Sequence, residues 1–332
     1  MDQLLECPKH MGFGPCGGVN FDGSCEVSTS RCVFLDLPTV RWEGPPVSDA
    51  RPSPMRDSLA TRQVVVADFP ARALDAASIA ECGGILSGRV DAVLAGDAGN
   101  ARVQFSPAYR AGLIRASGVA VWSGVNCRDR NRVALEGELA ALADVGVAGV
   151  HCVTGDHTLT GDRPDAAPVF DLDSTELAAL ARAAGHLVSV AEAPATPPVG
   201  RRPDRLLEKM RAGADVCFVN HAGGATPVRE FIDTAQQLGA TMCFIPCVPV
   251  VIDHESAKLL ESFTTLVLPP GYLQRILRAS DPFAEGIAAA VELSRDMLAL
   301  DGVRGVNLSG GTSAGREAWF AEALATISGQ LV

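Results

Sequence analysis

Four cysteines crowd the first 32 residues: Cys7, Cys16, Cys25 and Cys32, with eight, eight and six residues between them. Thiolates are soft ligands, and four of them can close a tetrahedral zinc site or hold an iron–sulfur cluster. The run lacks a C-x-x-C pair, so reduced cysteines packed against a larger body are the competing reading. His10 could replace one thiol as a ligand. A second source of chemistry is Asp156. An apolar run through Val150, Cys152 and Val153 breaks at Gly155 and delivers that carboxylate to a strand end, where α/β folds bind ligands. The long polar loop behind it enters a helix at Asp173, and loops of that size are disproportionately functional. A merely solvated acid is the alternative.

Other polar residues also stand where apolar runs stop. Asp68, Asn126 with Arg128, Glu192, Asn220 with His221, and Asn307 with Ser309 all sit at or just past such ends. Arg128, Arg130 and Arg132 could grip an anion at a helix N-terminus. For Arg130 and Arg132, surface ion pairs around a helix capped by Asn131 are expected instead. The glycine-rich stretch 309–313 could cradle a phosphate or form a plain turn. Spacing alone puts Lys209 on a solvated helix face and leaves His221 and His254 structural or solvated. Gly12, Gly14 and Gly17 satisfy G-x-G-x-x-G, but no strand precedes them and no helix follows, so no dinucleotide fingerprint is read there.

The elements that must position these groups follow a regular alternation from about residue 60. Strands are expected at 64–69, 91–95, 119–127, 149–154, 187–193, 215–220, 242–248 and 303–308. They are nearly continuously apolar, as strands covered on both faces should be. Leu135, Leu139 and Leu142 form one helical stripe that stops at Gly146. Asp173 with Glu176 resembles a capping box, and Thr226-Pro227 should open a helix closed by Gly239. A ninth apolar run, 265–268, is assigned to the connection before the last strand. Eight strands alternating with helices predict an α/β (β/α)8 TIM barrel over 61–332, with an open doubly wound sheet as runner-up. Residues 1–36 form a small cysteine-rich module that cannot bury enough surface to fold alone. Residues 37–60, rich in proline, form an extended linker.

The 332 residues are 47% hydrophobic and 20% charged, enough for a sizeable core. A net charge of −11 repels phosphate backbones and disfavours nucleic acid. No run of eighteen apolar residues and no signal pattern occur, so a soluble, cytoplasmic protein with no membrane partner is expected. Cys127, Cys152, Cys217, Cys243 and Cys247 fall in strand-like runs and are expected to be reduced core residues.

Together, CRDRNR at 127–132, VTGD at 153–156, GDRPDAAPVFDLDS at 161–174 and LLEKMRAGAD at 206–215 resemble the methylenetetrahydrofolate reductase barrel. The first segment, CPKHMGFGPCGGVNFDGSCEV with Cys32 beyond it, resembles the cysteine-rich "C-terminal" module of such reductases, here placed first. The resemblance implies a flavoprotein of one-carbon metabolism holding FAD at the strand C-termini. NAD(P)H reduces the flavin, which passes hydride to 5,10-methylenetetrahydrofolate to give 5-methyltetrahydrofolate. It implies Asp68 as the catalytic acid, in place of the family's usual glutamate, and Gly155 and Asp156 beside the flavin, with Asp156 also catalytic. Lys209 would lie near the flavin phosphates and Asn220 would contact folate. Cys7, Cys16, Cys25 and Cys32 would bind an iron–sulfur cluster or zinc. Gly124, Ala193 and Asn220 depart from the histidine, tyrosine and glutamine of common bacterial enzymes. Those departures motivate two alternatives, a flavin-free folate-dependent methyltransferase or demethylation component and an electron-relay subunit. A homo-oligomer or a partner electron-transfer subunit would fit either.

Overall fold

A computed structural model describes residues 7–45, 47–97, 99–263 and 265–331. Eight parallel strands close into a barrel in sequence order: β1 Val64–Asp68, β2 Ala92–Ala95, β3 Val121–Asn126, β4 Gly149–Val153, β5 Val188–Glu192, β6 Val216–Val219, β7 Cys243–Pro249 and β8 Gly305–Ser309. Val66 pairs with Asn307, and Asn307 with Cys247, which joins the first strand to the last two. Each strand lies within a run expected from sequence or within one residue of it. The run at 265–268 stays in the connection, with Val267 bridging Ala222 just past the end of β6.

Both faces of every strand are covered, which explains the continuous apolar runs. Inward residues Val64, Val66, Ala92, Trp122, Leu187, Val216, Phe218 and Ile245 fill the N-terminal half of the barrel. The outward set, among them Val65, Val93, Val150, Val190 and Leu308, packs beneath the helices. Those helices obey ordinary end rules. The helix α4 (Arg132–Val145) is capped by Asn131 and stopped by Gly146 at φ 73°. Helix α5 (Ser174–Ala183) carries the full Asp173–Glu176 capping box. Helix α7 (Ala225–Gln237) begins earlier than expected: Gly224, at φ 117°, precedes it, so Thr226 and Pro227 lie inside the first turn.

The proline-rich segment expected to be wholly extended ends in a helix. Ser53 caps α1 (Pro54–Thr61), and its Met55 and Leu59 plug the N-terminal end of the barrel against Val64, Trp122 and Phe218. Arg56 pins this helix to Asp215 at 2.7 Å. Proline at the first helical position loses no hydrogen bond, so its presence does not forbid a helix starting there.

Candidate functional site

Parallel strands bring all eight C-terminal ends to one rim, so Asp68 on β1 and Asp156 beyond β4 stand at the same end of the barrel. Their surroundings differ. Asp68 is held from β8: Asn307 Nδ2 donates to one carboxyl oxygen at 2.9 Å, and the Gly310 amide donates to the other at 3.2 Å. Burial pushes this carboxyl above its ordinary value, opposed by its hydrogen bonds to Asn307, Ser309 and Gly310. Asp156 instead points outward, its side chain 69% exposed, with Arg102 4.0 Å away. Gly155 before it adopts φ 89°, a left-handed turn that a side chain would strain.

Two inward asparagines carry unpaired acceptors. Asn307 and Asn126 are almost wholly buried, and among the described residues neither amide oxygen has a hydrogen-bond partner. The amide of Asn126 donates to Asp97 at 3.0 Å, and Arg128 reaches the same carboxylate at 2.8 Å. Arg128 also pairs with Asp129 at 2.6 Å, so its guanidinium is committed to carboxylates rather than open to an anion. Arg132 pairs with Glu136 at 2.9 Å on the surface, as expected. The organising role of Asp97 escaped the sequence reading. The signal was present, because β2 runs into Gly96-Asp97 just as β4 runs into Gly155-Asp156.

Lys209 is not on a solvated face. On helix α6 (Arg202–Arg211) it is buried, donating to Glu192 at 2.8 Å and to the Ala191 carbonyl at 2.6 Å. Arg202, also fully buried, meets the same carboxylate at 3.2 Å. Burial alone would raise the Glu192 carboxyl, but Lys209 and Arg202 outweigh it and hold the group below the ordinary range. Val188 and Val190 point outward to the helices, and alternation turns Glu192 the same way. The pair therefore lies behind the barrel wall. Asn220 is half-buried at the end of β6, its backbone N–H donating to the Glu192 carbonyl at 2.8 Å. Beside it, His221 Nε2 lies 3.2 Å from Ser309 Oγ, a contact that no spacing rule pointed to. Gly124 has no room for a side chain: a Cβ would stand 2.8 Å from Gly96 Cα.

The cysteine module docks over the loops after β4 and β5. Arg202 donates to the Cys16 carbonyl at 3.0 Å, the Gly12 amide reaches Asp173 at 3.3 Å, and Glu26 accepts from the His157 amide at 2.9 Å. Lys9 and Glu26 form a buried pair at 2.6 Å. Cys7, Cys16, Cys25 and Cys32 all line one small cavity of about 20 Å3, whose walls include Met11, Val19 and Phe34. Among the described residues no three His, Cys, Asp or Glu side chains stand close enough to hold one metal ion, so the thiols share walls without converging. Burial raises the Cys7 thiol and pushes Cys32 up to about 11. The donor set is nonetheless soft and thiol-only, which suits zinc or an iron–sulfur cluster. His10 turns away, its Nδ1 3.2 Å from the Phe170 carbonyl, and does not line the cavity. All ten cysteines are free; of the five expected in the core, Cys127, Cys152, Cys217 and Cys247 are buried and Cys243 is half-buried.

Residues 3–40 match the family described as methylene-tetrahydrofolate reductase C terminal. That match covers the cysteine module and none of the barrel. No curated protein matches the chain. Among solved structures, the barrel is similar to an uncharacterized protein from Clostridium thermocellum that binds two copies of 5-methyl-5,6,7,8-tetrahydrofolic acid. That pair shares 11% identity with a TM-score of 0.60, covering 82% of this chain and 98% of the other. It bears out the barrel fold. An oxaloacetate acetylhydrolase aligns at 13% identity and TM-score 0.49, over 83% of this chain and 85% of its own. A 2,3-dimethylmalate lyase aligns at 17% and 0.42, over 75% and 86%.

Proposed function

We propose that the rim of the barrel binds a reduced folate and that the protein acts on its one-carbon unit, opening a methylene bridge to its 5-iminium form or moving a methyl group. The carrying observation is the excess of buried acceptors on the inner wall. The Asp68 carboxyl and the unpaired amide oxygens of Asn126 and Asn307 complement the 2-amino, N3–H and N8–H donors of a reduced pterin. Arg128 at the rim, like Arg202 and Lys209 behind the wall, is already bound to carboxylates. The module match and the folate bound by the Clostridium protein support the same ligand class.

In this reading Asp68 touches the ligand as an acid. Its O–H bond breaks as an N10–H bond forms, the bond from the methylene carbon to N10 breaks, and a 5-iminium ion results. Donors from Asn307 and Gly310 stabilise the carboxylate left behind, which takes a new proton from solvent. Flavin does not fit as well. Lys209, its expected phosphate partner, is buried against Glu192, and Gly124 offers no side chain. A flavin-free route is therefore the one these residues favour, and no step is assigned to flavin or NAD(P)H. Cys7, Cys16, Cys25 and Cys32 would hold the zinc or iron–sulfur group, which in cluster form supplies one-electron chemistry.

Calorimetry with 5-methyltetrahydrofolate on protein purified without added flavin tests this. Saturable binding to colourless or brown protein is expected. No binding overturns the folate reading, and stoichiometric FAD with NAD(P)H oxidation overturns the flavin-free route.

A further inference from the structure

We propose that Lys9 donates hydrogen bonds to the metal-bound thiolates of the cysteine module, held in place by Glu26. The inference rests on the reading that Cys7, Cys16, Cys25 and Cys32 hold a metal group. Those four side chains share their small cavity with two charged residues, Lys9 and Glu26. The sequence sets both close to ligands, Lys9 two residues after Cys7 and Glu26 next to Cys25. The two charges stand 2.6 Å apart, and each side chain is only 5% exposed. So deep an ion pair costs desolvation energy that its own attraction often fails to offset. A module too small to fold alone has little stability to lose.

The two partners are not equally engaged. Glu26 Oε2 meets Lys9 and Oε1 accepts from the His157 amide at 2.9 Å, so both carboxylate oxygens are taken. Gly18 makes room for this, since a Cβ there would collide with Glu26 Oε2. An ammonium carries three donors, and the one Glu26 oxygen it meets takes one of them. The ammonium otherwise lines a cavity walled by the four cysteines and by apolar groups such as Met11, Val19 and Phe34. Coordination removes each thiol proton, and four thiolates around a divalent ion leave a net charge of about −2. Within apolar walls such a charge is costly unless donors or cations meet it. Among the described residues Lys9 is the one cation lining this cavity. Its further donors supply charge-assisted N–H···S bonds, which draw electron density from sulfur and stabilise the loaded site. Glu26 is a positioning residue. It opposes the thiolates by its charge but holds the ammonium and ties it to the loop after β4.

Zinc titration of the full chain against a competing chelator tests this, with cobalt(II) absorption as a second readout. Wild-type protein should take up about one ion per chain. Lys9→Met combined with Glu26→Gln removes both charges at nearly constant shape, a change that buried pairs tolerate. Zinc affinity should then fall by about tenfold. The sulfur-to-cobalt charge-transfer band should move to longer wavelength, because thiolates without donors give up electrons more readily. Glu26→Gln alone keeps the ammonium and removes the opposing carboxylate, so it should bind zinc at least as tightly as the wild type. A merely structural pair predicts losses in both variants. Unchanged affinity or an unmoved band in the double variant overturns the inference, as does an equal loss in Glu26→Gln. Wild-type protein that takes up neither metal overturns it together with the metal reading of the cysteines. Zinc uptake indifferent to Lys9 overturns this inference alone.

Discussion

Asp68 and Asp156 are both acids delivered by a strand to the same rim, yet one is half-buried among donors and the other stands in solvent. In the proposed function, that difference favours Asp68 over Asp156 for proton transfer. Asp68→Asn should lower turnover of a one-carbon folate by about 100-fold or more while changing 5-methyltetrahydrofolate affinity only a few-fold. Steady-state kinetics beside calorimetry check it, and a parallel loss of binding would mean that Asp68 only grips the ligand. If the unpaired amide acceptor of Asn307 meets the ligand as proposed, Asn307→Ala should weaken folate affinity, leaving Asp68 short of one donor as well.

Helix α6 shows how an element can mislead when read by itself. Spacing put its lysine on a solvated face, but Lys209 points inward and is buried, as are Arg202 and Arg205. Each is paired there, with Glu192 or Asp173, and Arg202 also ties down the backbone carbonyl of Cys16. A buried charge stripped of its partner is costly, about 3–5 kcal/mol. Asp173→Ala would strand Arg205 and remove the cap of α5, so urea denaturation should show a loss of that order. Arg202→Ala leaves Glu192 its Lys209 partner but removes one of the ties that hold the module, loosening it. Limited proteolysis should then cut within 37–53 while the circular dichroism of the barrel persists. Cleavage no faster than in the wild type would show that the module is held elsewhere.

At the scale of the molecule, the chain before the first strand spans the barrel from end to end. The cysteine module sits over the loops after β4 and β5, and α1 plugs the opposite end with Met55 and Leu59. The interior between them holds histidines that must stay neutral. His151 contacts Ser189 at 2.9 Å and packs on Phe218, and burial pushes it down to about 3; His221 is pushed to about 4. Both folded values lie below the ordinary 6.5, so their contribution to stability is complete above that pH and is lost as pH falls toward the folded values. Each costs up to about 1.4 kcal/mol per pH unit in that window. Asp68 has the opposite sign: its raised value makes the fold gain as pH falls through it, offsetting part of the loss. Urea midpoints measured between about pH 7 and 4 should therefore decline, less steeply in His151→Asn. An equal slope in both proteins would contradict the burial argument.

Much of this was legible beforehand because it is local or repetitive. Apolar runs alternating with capped helices determine a barrel, since strands covered on both faces need helices between them, and the acid-ended strands at Asp68 and Asp156 locate its rim. The four cysteines announce a module too small to stand alone. What the runs could not say is which polar side chain each rim residue would meet. The Asn307–Asp68 and His221–Ser309 contacts span 239 and 88 residues, and Arg202 reaches Cys16 across 186. Such pairs exist only once the sheet closes and β8 returns beside β1. Closure also decides burial, and burial rather than residue type turned Lys209 from a surface cation into half of an interior ion pair and raised the Asp68 carboxyl above its ordinary value.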